Sequence, residues 1–120
     1  MLYTKHAKLL TTDEATLFTV PKGFHAVINY IFIANHAGST NTATLYWDVT
    51  VNNVPVPQVY IYDGANVPGG GNNTLGNGGG PLFVLHEEES LKTYAGSAGD
   101  IEVAVTIDLI ETPSTLINFN

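Results

Sequence analysis

Four histidines and eleven carboxylates are the side chains here best suited to moving protons or holding metals. His6, His25, His36 and His86 are scattered, with no short His-x-His spacing of the kind that builds a zinc site. The run "HEEE" at 86–89 has the carboxylate density of a calcium site if Asp63 or Asp100 joins it. Three adjacent acids between two apolar runs read more simply as a solvated turn. Cysteine is absent, which removes thiolate nucleophiles, thiolate zinc sites and disulfides. The serines, Ser39, Ser90, Ser97 and Ser114, sit in turn-like settings without a nucleophile-elbow pattern. Paired carboxylates of a glycosidase would need a cleft that a chain this small hardly provides. No catalytic residue, metal or cofactor is expected, and the chain reads as a non-enzyme.

Aromatic residues leave a second possibility. Tyr46, Tyr60 and Tyr62, with Trp47 nearby, fall where outward-facing strand positions are expected. A row of exposed rings stacks on sugars, and the same rings anchor protein interfaces. Asn72 opens a formal glycosylation sequon, which carries weight only in an exported chain.

Charge narrows the partners. Eleven acids face four lysines, no arginine is present, and the net charge is −7. Such a surface repels phosphate backbones and lacks the best bidentate phosphate ligand, so no nucleic acid is expected. No apolar run approaches the roughly 18 residues of a membrane span, and the N-terminus lacks the apolar core of an export signal; no membrane is expected.

The elements that must carry these residues are strands. In "ATLYWDVTV", Ala43, Leu45, Trp47, Val49 and Val51 alternate with Thr44, Tyr46, Asp48 and Thr50. In "IEVAVTIDLIE", Ile101, Val103, Val105, Ile107 and Leu109 do the same against Glu102, Ala104, Thr106 and Asp108. "ATLFTV" runs into a Pro21–Gly23 turn, and "LYTKHAKLL" adds an edge strand. "HAVINYIFIAN" is apolar on both faces and so central, with Val27, Ile31 and Ile33 set against Ala26, Ile28, Tyr30 and Phe32. "VNNVP" marks a hairpin at Asn52 and Asn53, and Pro55 and Pro57 place the next strand at an edge or bulge. No helical period persists beyond a turn or two. Seven to nine short strands make the fold all-β: a single antiparallel β-sandwich, jelly-roll-like, over residues 1–111.

"GANVPGGGNNTLGNGGGP" resembles a phosphate loop only in its glycines. It has no lysine, and Pro81 and a β-type run follow it instead of a helix. It reads as one long loop, 64–80, inside the sandwich, either mobile or ordered by a neighbouring subunit. Residues 112–120 form an apolar tail. The expected contact residues are Asn66, Asn72, Asn73, Thr74 and Leu75 in the loop, and Leu116, Ile117 and Phe119 in the tail. Trp47 is expected in the core, beside Val49, Ile33 and Val105.

"TLFTVPKGFHAVINYIFIANHAGSTNTATLYWDV" and "PLFVLHEEESLKTYAGSAGDIEVAVTIDLIE" together resemble small β-sandwich virion proteins of tailed bacteriophages. The shared features are Val20, Pro21 and Gly23, a long apolar strand ending at Asn35 before a Ser/Thr/Gly turn, and late strands at Val84 to Glu89 and Val103 to Glu111. The sequence departs from the pattern at "EEES", where Gly-Asp is usual, and in the glycine stretch. The resemblance implies a capsid decoration or cement protein. It would be a homo-oligomer, trimer favoured, bound to the major capsid protein or another virion protein on the outer capsid surface, and assembled in the host cytoplasm. A tail, connector or fibre accessory protein is the alternative, as is a carbohydrate-binding module.

Overall fold

The computed structural model describes residues 2–48, 50–51, 54–55, 58–76 and 80–112. Within them every paired element is a β-strand: β1 (Leu2–Leu9), β2 (Ala15–Thr19), β3 (Phe24–Asn35), β4 (Asn41–Asp48), β5 (Thr50–Val51), β6 (Val54–Pro55), β7 (Val59–Val67), β8 (Asn72–Leu75), β9 (Phe83–Leu85), β10 (Ser90–Ala95) and β11 (Ile101–Glu111). One sheet has the order β1-β11-β3-β8, with β9 also paired to β3; the other has the order β2-β10-β4-β7. All pairings are antiparallel. The chain crosses between the sheets at almost every connection, which is the wind of a jelly roll. The β5–β6 ribbon pairs Val51 with Val54 between β4 and β7. The expected turn residues between them, Asn52 and Asn53, lie outside the described residues, as do Val49 and Pro57.

Alternation does what the strand patterns require. Ile101, Val103, Val105 and Ile107 point inward and are buried, as are Ala43 and Leu45 from the facing sheet. Removing each such aliphatic side chain from water contributes about 1.5–3 kcal/mol. Buried polar groups in this core are paired: Thr93 Oγ1 donates to the Thr44 carbonyl at 2.7 Å.

β3 breaks its own alternation. Tyr30 pairs with Thr106 and Ile28 with Ile107, so Asn29 is an extra residue, a β-bulge. The phase change puts Ala26, Ile28, Ile31 and Ile33 all on the core side. Val27, Tyr30 and Phe32 share the outer face. The strict two-residue alternation expected for this strand, with Val27 beside Ile31 and Ile33, is therefore corrected at Asn29.

The glycine-rich stretch is also corrected: it is no single loop. Its start is the end of β7, residues 68–71 form a tight turn, and β8 follows, hydrogen-bonded to β3 through residues 31–34. Asn and Thr there satisfy backbone ladders, so no partner is needed to order that part. A Cβ on Gly69 would come within 2.5 Å of the Gly38 backbone, so this turn and the one at 36–40 touch through bare main chain.

Candidate interaction surfaces

At one end of the sandwich, side-chain amides hold the connections. Asn35, at the end of β3, donates from Nδ2 to the carbonyls of Ser39 (2.8 Å) and Val67 (3.0 Å), and its Oδ1 accepts from the Ala37 amide. Asn41 donates to the Ser97 carbonyl at 2.8 Å and accepts from the backbone and hydroxyl of Ser97 and from the Thr42 amide. Both asparagines are buried. An amide can both donate and accept, so each bridges loops that have no ladder of their own. The sequence pattern located Asn35 at a strand end but gave no hint of Asn41. A lone polar residue opening an apolar strand was the available signal.

At the opposite end the acidic turn is not a solvated tip. Glu89 is 7% exposed. Its Oε1 accepts from Trp47 Nε1 at 3.1 Å and from the His86 amide at 2.7 Å. Glu87 accepts from the Gly23 amide at 2.8 Å, and main-chain bonds join Val20 to residues 88 and 89. Glu88 takes a left-handed backbone, φ 68°, and pairs with Lys22 at 3.6 Å. Glu87 and Glu88 thus clasp the 20–23 turn, while the Glu89 carboxylate ties the acidic turn's own His86 amide to Trp47 of β4, because carboxylates accept from donors that the sheets leave over. Asp100 lies past the far end of β10, where its carboxylate approaches Lys8 at 3.7 Å. The sandwich therefore holds Asp100 and the 86–89 run at opposite ends, and the two cannot share a calcium ion. Among the described residues no group of three or more histidines and acids gathers to hold a metal.

Trp47 is half-buried. It packs against the core and stacks on Phe83 of the other sheet, with ring centroids 5.3 Å apart. Tyr46 and Tyr60 are neighbours on the outer face of the second sheet, 5.5 Å between centroids. Tyr46 lies beneath and donates to Glu14, while Tyr60 is 47% exposed. Burial first, then the hydrogen bond to Glu14 and the charges of Glu14 and Asp48, push the Tyr46 hydroxyl above its ordinary pKa. Lys92 on the same face pairs with Asp48 at 3.0 Å and Glu14 at 4.0 Å. Tyr62 corrects the expectation of three outward tyrosines. The register shift between Leu45 and Tyr46 turns it inward opposite Leu45, half-buried against the core, and this burial raises its pKa.

The expected contact residues divide. Asn66 on β7 and Asn73 on β8 are joined, Asn73 Nδ2 donating to the Asn66 carbonyl at 3.0 Å. Asn72 and Thr74 pair with Ala34 and Phe32 and lie exposed on the outer face of the first sheet; Leu75, opposite Ile31, is exposed at its margin. These five therefore cluster along one side of the sandwich, where β8 of the first sheet meets β7 of the second. Leu116, Ile117 and Phe119 lie outside the described residues. The strand read as apolar on both faces has its second apolar face where Asn72 and Thr74 adjoin it: Phe32, Tyr30 and Val27 of β3, with Ala104 and Thr106 of β11 and Val84 of β9. Leu2 and Ile110, 65% and 38% exposed, continue it.

No protein-family model and no curated protein sequence matches the chain. Solved structures do. The T13 infectious bursal disease virus particle matches with a TM-score of 0.54 at 10% identity, over 92% of this chain and 31% of that one. The same virus in its Gx strain gives 0.53 at 10% identity, over 92% and 32%. The Drosophila NLP core, described for pentamer formation and histone binding, gives 0.49 at 16% identity, over 92% and 99%. The chain spans about a third of the length of the virus proteins it matches. At these identities what is shared is the fold: a β-sandwich domain also found in a virus particle protein.

Proposed function

We propose that the chain is a virion structural protein, a capsid decoration or cement protein that binds the outer shell as a homo-oligomer, in the form of a trimer. The observation that carries this reading is the sandwich that a virus particle protein shares over 92% of this chain. The surface supports it. With 12% charged residues, exposed strand faces rely on threonine, asparagine and small apolar groups, which can be buried against a neighbour with little desolvation cost. An acidic surface without arginine suits the outside of a nucleic-acid-filled shell better than its interior. Its partners are then the major capsid protein or another virion protein, and its role is non-enzymatic. The carboxylates of the 87–89 turn serve as clasps, which fits that role.

Quantitative mass spectrometry of purified particles tests this. Hundreds of copies per particle fit a lattice decoration, and a dozen or so would move the protein to the connector, tail or fibre. Absence from particles refutes the virion role. One observation favours a sugar-binding module as second reading: Tyr60 exposed over Tyr46, with Asp48 and Lys92 on the same face. Loss of glycan binding in Tyr60→Ala would mark it; no binding by the unaltered protein would exclude it.

A further inference from the structure

We propose that the outer face of the β1-β11-β3-β8 sheet is a self-association surface, covered by the segment carrying Leu116, Ile117 and Phe119 from a second copy of this chain. The proposal rests on the reading that the protein works assembled, and it names the partner of that assembly.

The face is apolar along its centre. Phe32, Tyr30 and Val27, each partly exposed, run down β3, flanked by Ala104 and Thr106 on one side and Val84 on the other. Charged groups bound it at both ends, Glu102 opposite Ala34 and beside Lys8, Asp108 opposite Val27, and His6 of β1 lies opposite Ala104. Where Asn29 bulges, a recess of about 230 Å³ opens, lined by Leu2, Asn29, Gly80 and Thr106. That volume admits one large apolar side chain. Three such side chains sit close together just beyond Thr112.

Geometry assigns those side chains to another copy. Thr112 is pinned on the line of β11: its amide donates to the Gly23 carbonyl at 2.8 Å, and its hydroxyl meets His25 Nδ1 at 3.1 Å. Pro113 follows in the sequence, and a residue before proline favours the extended conformation. Phe32 pairs with Ala104, eight residues up β11 from Thr112. That is a return of ~26 Å at strand spacing. Ile117, five residues beyond Thr112, reaches at most ~18 Å, and Phe119 ~25 Å with no residue left for a reversal. The chain's own segment therefore cannot cover the stripe at Phe32. A segment arriving from a neighbour can. Tail on face, passed head to tail from copy to copy, closes into a ring where the rotation between copies allows it, and trimers belong to that symmetry class.

Two full-length variants separate the halves of the contact. Phe32→Glu breaks the face; Ile117→Asp with Phe119→Asp breaks the segment. Native mass spectrometry and sedimentation at micromolar concentration should show a closed ring for the unaltered protein. Each variant alone should be monomeric, with dissociation constants raised about 30-fold or more, as expected for loss of an interface anchor. Mixing the two should restore a one-to-one pair, because the intact segment of one meets the intact face of the other. Circular dichroism checks folding, and Ala104→Glu, one strand over on the same face, takes the place of Phe32→Glu if that variant unfolds. A monomeric unaltered protein overturns the proposal. So do variants that assemble like the parent, or a mixture that stays monomeric. These results are read in solution, so they stand or fall separately from the protein's presence in particles.

Discussion

Replacing Glu89 by alanine tests whether the acidic turn is a clasp. The substitution strips the acceptor from the Trp47 indole and the His86 amide. A hydrogen bond to a charged group contributes about 1.5–3 kcal/mol, but Trp47 is half-buried and water can reach part of what is lost, so the sum should be about 2–3 kcal/mol. For 120 residues the unfolding entropy is about 250 cal/mol/K, so each kcal/mol moves Tm by about 4 °C. The expected fall is therefore about 8–12 °C. Thermal unfolding followed by circular dichroism reads it. Because Trp47 is the sole tryptophan, its fluorescence should shift in the folded variant as well. Glu88→Gly is the control: it removes a side chain from a left-handed backbone at the cost of one exposed ion pair, and Tm should hold or rise slightly. A Tm for Glu89→Ala within about 2 °C of the parent would refute the clasp and return the turn to a solvated tip.

Three further outcomes are expected. Gly69→Ala should destabilise by about 1–3 kcal/mol, since its Cβ meets the Gly38 backbone, while Gly38→Ala, with open space around it, should not; urea titration compares them. Asn41→Ala should cost about 2–4 kcal/mol and expose the Ser97 amide to hydrogen exchange, because four bonds to the 96–100 connection and Thr42 are lost together. The hydroxyl of Tyr46 holds its proton more tightly folded than unfolded, so its stabilising effect is complete below pH about 10 and fades as pH rises above that. Stability measured from pH 9 to 11 should fall less steeply in Tyr46→Phe than in the parent; equal slopes would remove Tyr46 as the cause.

Strands with unbroken alternation were legible because burial on one face leaves a two-residue period in the sequence. β4 and β11 are of this kind, and their inward residues are those the pattern names. What could not be read were the places where the period breaks. Asn29 adds a residue to β3 without a composition mark, since neither glycine nor proline stands there, whereas near Tyr62 the mark was Gly64, left-handed at φ 62° within the first of two register shifts. β8 was hidden because its two asparagines are poor strand formers and glycines flank it; pairing with β3 overrides that preference. Glu89 misled for a related reason: a run of acids signals solvent, and only the approach of Trp47 and the 20–23 turn makes the last of them an internal acceptor. Of the surface, Asn66 and Asn72 to Leu75 were picked out from composition as residues of one loop, and that they stand on strands was not legible. The apolar stripe beside them emerged only once the bulge had sorted β3 into its two faces.

That bulge also bears on how the chain reaches its native state. A jelly roll is assembled almost wholly from pairings distant in sequence, so folding is slow and mispaired strands have time to form. Two long strands of plain alternation, such as β3 and β11, could slide past one another by two residues and still bury an apolar face. With the extra residue at Asn29, only one alignment places the phase change of β3 opposite the Thr106 to Ile107 step. A slipped pair would turn half of β3 outward. Asn29 thus acts as a kinetic proofreading mark at the centre of the larger sheet. Its deletion should slow refolding and populate misaligned species even under conditions where the remaining contacts suffice to hold the sandwich together.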